Sequence, residues 1–147
     1  MNTYCQDRRS LGNILPVAGA TGISVVLGIG KALSAGHTIM AAFHGSATGP
    51  VSLFALGSAD FVVGLVAFVA GMAFILRRGW GQWLLMHGGV AIAAYELGRA
   101  LGLTVAEIIT SDATALALSA TTVASWVLVT WCARSKGADL YIASRTS

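Results

Sequence analysis

Long apolar runs separated by brief polar punctuation organise this chain. Four runs are long enough for the ~20 residues that cross a bilayer core as helix. The first spans about Leu11 to Ala35, and the second spans Val51 to Leu76 after the turn signal Thr48-Gly49-Pro50. The third spans Gln82 to about Ile109, and the fourth about Ala113 to Cys132. The links joining runs two to three and three to four are short, so consecutive helices are expected to be antiparallel neighbours. The pattern predicts an all-α, integral membrane four-helix bundle in a single domain of 1–147. It carries an outer loop at 36–50 and a polar, frayed cytoplasmic tail at 133–147. The outer loop mixes Ile39, Met40 and Phe43 with His37 and His44, and is expected to lie along the interface as a short amphipathic helix.

Composition agrees with this pattern. Hydrophobic residues make up 56% of the 147 positions and charged residues 10%. Soluble domains carry about 25% charged residues. The chain has too much apolar surface for a soluble fold of its size, so lipid is the expected solvent and the bilayer an expected partner.

The net charge of +3 is small. It is not clustered as in a nucleic-acid binder, and no nucleic-acid partner is expected. Its placement reads as topology instead. Arg8 and Arg9 precede helix one, Arg77 and Arg78 separate helices two and three, and Arg134, Lys136 and Arg145 follow helix four. Four spans put all of these on one side, with both termini in the cytoplasm. Trp80, Trp83 and Trp131 fall at the same level as interfacial anchors. The first run imitates a signal peptide, but it is long, and Leu33 is a poor −3 residue in the would-be cleavage site Leu33-Ser34-Ala35. It reads as a retained helix. Cys5 and Cys132 fall at inner helix ends and read as free thiols.

Charges inside the spans are the candidate chemistry. Asp60, Glu96 and Arg99 lie within apolar helices, where a charge costs at least ~2.5–3.5 kcal/mol and calls for a partner or a wet cavity. Asp60 is sixteen residues from the inner end of helix two, or ~24 Å, and Arg99 seventeen from that of helix three, or ~25 Å. Glu96 is one turn from Arg99 on the same face. Arg99 is therefore expected to be bridged by Asp60 and Glu96, with Lys31 and Tyr95 as next neighbours. Three readings stand: a cluster that fixes helix register, an outward-facing polar pocket, or a contact with a partner subunit. Gly57, Gly64 and Gly71 recur every seven residues, and Gly98 and Gly102 form a small-xxx-small pair. Both sets are expected to pack helices, with helix three approaching the Gly57/Asp60/Gly64 face.

Other chemistry finds no support. His87 lies near the inner end of helix three, whereas His37 and His44 lie in the outer loop. No bis-histidine haem pair faces across the helices, and no cofactor or metal is expected. Gly28-x-Gly30-Lys31 lacks the rest of a phosphate loop. Ser119, Thr121, Thr122 and Ser125 form a polar stripe of the kind that bonds back to its own helix. No catalytic nucleophile stands out.

One stretch resembles the DoxX-type family of small four-helix bacterial membrane proteins. Helix one ends in Leu27-Gly28-Ile29-Gly30-Lys31, a loop leads to Pro50, and helix two reads Ala59-Asp60-Phe61-Val62-Val63-Gly64-Leu65 before Gly71 and arginine. The resemblance covers roughly residues 20–80, with Asp60 where the family usually has glutamate. It implies a bundle accompanying membrane redox systems, with Lys31 and Asp60 as carried-over polar positions. The expectation is an accessory or scaffold subunit of a complex in the bacterial inner membrane, associating with other membrane subunits or with itself. The alternatives are a small transporter or quinone/lipid-binding protein using the polar pocket, and an enzyme subunit in membrane redox chemistry.

Overall fold

A computed structural model describes the backbone of residues 3–44, 50–105 and 113–144, and the side chains of 14–44, 51–102 and 117–144. Everything described is helix or turn. The elements are α1 (Thr3–Phe43), α2 (Pro50–Ile75), α3 (Gly79–Val105), α4 (Ala113–Ala133) and α5 (Lys136–Ala143). The four long helices form a ring of contacts, α1 against α2 and α4, and α3 against α2 and α4, while α5 folds back onto α1. Two of them are long and apolar enough to cross a membrane, over Ile14–Phe43 and Val51–Ile75. Glu96, Arg99, Gln82 and His87 make α3 less apolar, and the described apolar part of α4 is the shorter run Ala117–Ala133.

The most extensive helix contact is α1 against α2, and it rests on glycine. A Cβ placed at Gly28 would come within 2.8 Å of the Gly64 and Phe68 backbones, and one at Gly64 within 2.7 Å of the Gly28 carbonyl. Contact this close between backbones is open only to small residues. Ser24, fully buried, donates from Oγ to the carbonyl of Ala67 at 2.7 Å across the same seam.

The seam also explains why α1 is longer than its apolar run. Residues 36–43, expected in the outer loop, continue α1 without a break. They lean on the start of α2: Ile39 fills the space over Gly57, Ala42 is buried, and Phe43 meets Phe54 edge-on at 6.2 Å. Thr38 returns its hydroxyl to the Ser34 carbonyl at 3.1 Å, so this polar residue does not interrupt the helix. Residues 45–49 of the expected loop lie outside the described residues.

The α2–α3 link is a tight turn. Arg78 donates its N–H to Ala73 and Arg77 to Phe74, each at 2.9 Å, with Arg77 at φ 54°. This is the Schellman closure of a helix C-terminus, in a position that usually holds glycine. The α3 side of the turn needs Gly81, where a Cβ would stand 2.6 Å from the Phe74 nitrogen.

Residues 136–143, expected to fray, form α5. Ser135 caps it by accepting the Ala138 N–H at 3.3 Å. Its Tyr141 donates to the Ile75 carbonyl at 2.8 Å and packs edge-on against buried Phe74. Arg77 lies 4.8 Å over the Tyr141 ring and donates to Ser144 Oγ at 3.2 Å. Gln82, buried at the start of α3, donates to the Ala133 carbonyl at 3.0 Å and to Asp139 Oδ1 at 2.7 Å. The helix thus supplies a hydrogen-bond donor and an aromatic cover to the end of α2, and an acceptor to the start of α3.

Candidate functional site

Three helices bring charge to one place. Lys31 comes from α1, Asp60 from α2, and Tyr95, Glu96 and Arg99 from α3. The glycine seam sets the first pair. Lys31 is one turn beyond Gly28, and Asp60 one turn before Gly64, so close backbone contact delivers ammonium to carboxylate. Lys31 Nζ lies 2.9 Å from Asp60 Oδ1, and it also pairs with Glu96 Oε1. Tyr95 donates its hydroxyl to Asp60 Oδ1 at 3.2 Å, and Lys31 Nζ lies 5.7 Å above the Tyr95 ring. Arg99 Nη1 stands farther off, 3.4 Å from Asp60 Oδ2 and 3.7 Å from Glu96 Oε2.

The two carboxylates are the buried members, with side chains 4% and 7% exposed, against 13% for Lys31 and 32% for Arg99. Two acids and two bases leave no formal charge. Each carboxylate faces both cations, which is the arrangement that makes burial of an ion affordable. The centre of the cluster is Lys31 rather than Arg99. The sequence held a signal for this: Gly28 and Lys31 share one face of α1, as Asp60 and Gly64 share one face of α2.

The glycines divide differently from expectation. Gly57, Gly64 and Gly71 do face a helix, but it is α1 and not α3. Gly57 meets Ala35 and Ile39, Gly64 meets Gly28, Lys31 and Ala32, and Gly71 meets Ser24 and Val25. The reason is spatial: α1 lies against this face for nearly the full length of α2, while α3 reaches Asp60 only through its long side chains. Among the described residues Gly98 and Gly102 pack against nothing, because a Cβ at either would find no described atom within 4 Å. They border an open groove of about 370 Å³ lined by Leu56, Tyr95, Gly98, Arg99 and Gly102.

The remaining candidates stay apart. His87 donates from Nδ1 to the Trp83 carbonyl at 3.0 Å and stacks on Trp83, while His37 and His44 are exposed on the far part of α1 and just beyond it. Among the described residues no group of three or more His, Cys, Asp and Glu is placed to hold a metal ion. Thr121, Thr122 and Ser125 return their hydroxyls to the carbonyls of Ala117, Leu118 and Thr121, four residues back. Cys132 is a free thiol, and the side chains of Cys5, Arg8, Arg9 and Arg145 lie outside the described residues.

The arrangement holds charge: each buried carboxylate is paired with both cations. Comparison with known protein families, with curated proteins and with solved structures finds no match for this chain.

Proposed function

We propose that this chain is a four-span protein of the bacterial cytoplasmic membrane, with both termini inside, serving as a non-catalytic accessory or scaffold subunit of a membrane complex. One observation carries the membrane reading: the partition of residues is inside out. Along α2, Phe61, Val62, Leu65 and Val66 are 40–58% exposed while Asp60 is 3% exposed. On α3, Glu96 is buried and its neighbour Leu97 exposed. Charges turned inward and large apolar side chains turned outward suit a hydrocarbon solvent.

Orientation follows from the cations. Arg77, Arg78, Arg134 and Lys136 belong to the end closed by α5, and exposed Trp80, Trp83 and Trp131 lie beside them. Cytoplasmic placement of that end satisfies the positive-inside rule and puts the aromatic residues at the interface.

The accessory role draws on the charge cluster. Its carboxylates are already paired, and it positions three helices against one another. The DoxX-type resemblance over residues 20–80 would place such a subunit beside a membrane redox system. On this reading Lys31 and Asp60 keep the first two helices in register. A second reading, a small transporter or lipid- or quinone-binding protein, is favoured by the groove that opens beside Arg99.

Purification in mild detergent, with mass spectrometry of accompanying proteins, separates the two. The accessory reading expects a stoichiometric membrane partner or a defined oligomer, retained when Asp60→Asn and Arg99→Gln are combined. A lone monomer whose transport flux disappears in that double variant would replace it with the transporter.

A further inference from the structure

The long helices are not equally equipped to enter a bilayer. Among the described residues, α1 and α2 each hold a run long and apolar enough to cross, over Ile14–Phe43 and Val51–Ile75, and α3 holds none. The sequence of α3 shows why. Glu96 and Arg99 interrupt its apolar run, Gln82 and His87 stand toward its start, and glycine dilutes the rest.

The hairpin of α1 and α2 is complete without α3. Gly28 and Gly64 bring the two backbones into contact, and Ser24 donates to the Ala67 carbonyl across the seam. Its two charges answer each other, with Lys31 Nζ 2.9 Å from Asp60 Oδ1, so the hairpin presents a neutral pair to hydrocarbon. The converse does not hold. Glu96 and Arg99, one turn apart on α3, stand 3.7 Å from each other, longer than the ~2.7–2.9 Å of a charge-assisted hydrogen bond. Arg99 is nearer to Asp60, at 3.4 Å, and Glu96 pairs more closely with Lys31. Tyr95 donates to Asp60 at 3.2 Å. These three side chains of α3 each find their nearest ionic or hydrogen-bond partner on α1 or α2.

A charge without a partner is costly in hydrocarbon. A helix whose charges are answered by another segment depends on that segment being in place. Synthesis runs from the N-terminus, so α1 and α2 emerge before α3. We infer that the α1–α2 hairpin inserts first, and that its Lys31–Asp60 pair is the receptor that draws α3 into the bilayer through Glu96, Arg99 and Tyr95. The inference rests on the four-span membrane reading and not on the accessory role. Ion pairing replaces the hydrophobicity that α3 lacks, and the height of Lys31 and Asp60 sets where α3 stops.

The test uses full-length chains with Cys5 and Cys132 replaced by serine. Each carries one reporter, His44→Cys beyond α1 or Ser111→Cys in the link between α3 and α4. A membrane-impermeant maleimide is applied to intact and to opened cells after a short pulse of synthesis. With the cluster intact, both reporters are expected outside. Lys31→Met strands Glu96, and should lower the outside-to-inside ratio of Ser111→Cys at least about tenfold while His44→Cys stays outside. Adding Glu96→Gln removes the stranded charge, leaves Asp60 with Arg99, and should restore the ratio. A chain with Glu96→Leu and Arg99→Leu has an α3 that needs no receptor. There, Lys31→Met/Asp60→Asn should leave both reporters outside, and this arm keeps the test open if Lys31→Met is degraded. An unchanged Ser111→Cys ratio in Lys31→Met would overturn the proposal. So would equal loss of both reporters, no rescue by Glu96→Gln, or an inward shift of Ser111→Cys in the chain with leucine at both α3 positions. Ser111→Cys inside with His44→Cys outside while the cluster is intact would instead defeat the four-span reading beneath it.

Discussion

The ammonium of Lys31 and the carboxylate of Asp60 meet at 2.9 Å because Gly28 and Gly64, one turn away on each helix, let α1 and α2 touch backbone to backbone. Packing and electrostatics are therefore one device. The glycine seam sets the height at which the charges meet, and the charges penalise any slip of the seam.

Removing one charge should be costlier than removing a matched pair. Lys31→Met leaves two buried carboxylates against one distant arginine, and loss of one partner from a buried pair costs about 3–5 kcal/mol. The double variant Lys31→Met/Asp60→Asn leaves Glu96 opposite Arg99 and restores neutrality. Its loss of stability should fall short of the sum of the single losses by about 0.5–3 kcal/mol, the range for residues in one network. A double-mutant cycle by reversible unfolding in detergent measures this, and strict additivity would mean that the pair does not interact.

The two glycine sets should respond oppositely. Gly64→Val forces apart backbones that now touch, and should lower the melting temperature or prevent accumulation. Gly98→Ala meets no described atom, and alanine is favoured over glycine inside a helix by roughly 0.5–1 kcal/mol. Its melting temperature should be unchanged or slightly higher. Equal damage from both substitutions, read by thermal melting of the purified variants, would contradict the seam as described.

The docked α5 predicts a stability role for residues near the C-terminus. Tyr141→Phe removes the donor to the Ile75 carbonyl but keeps the ring under Arg77 and against Phe74, and should cost about 1 kcal/mol. Deleting 134–147 removes that contact and also the Asp139 acceptor of buried Gln82, so the loss should be larger. Thermal melting of both variants checks the order. A truncation as stable as the full chain would mean that α5 does not hold the helix ends.

What could be read from the sequence follows physical scale. Apolar runs of bilayer length gave the placement of the four long helices, because hydrophobicity is a property of each residue in turn. Helical rise gave the matching heights of Asp60 and Arg99, and the structure brings Lys31, Asp60, Tyr95, Glu96 and Arg99 together. Which helix would face the α2 glycines is a property of pairs of helices, and Gly57, Gly64 and Gly71 carry no mark that says α1 rather than α3. Residues 36–43 read as part of an outer loop with a short amphipathic helix of its own, whereas they continue α1 and lean on Phe54 and Gly57 of α2. The short α5 falls in a stretch read as a polar, frayed tail. Its position depends on Phe74, Ile75 and Gln82, which lie more than fifty residues earlier.

The membrane architecture beneath this account is tested most directly by labelling single cysteines in intact cells. In a chain with Cys5 and Cys132 replaced by serine, His44→Cys tests the end beyond α1, and Gly79→Cys the α2–α3 turn; both sites are exposed. The account predicts that a membrane-impermeant maleimide labels His44→Cys from outside, and Gly79→Cys only after the cells are opened. Labelling of Gly79→Cys from outside, or recovery of either protein in the soluble fraction, would contradict it.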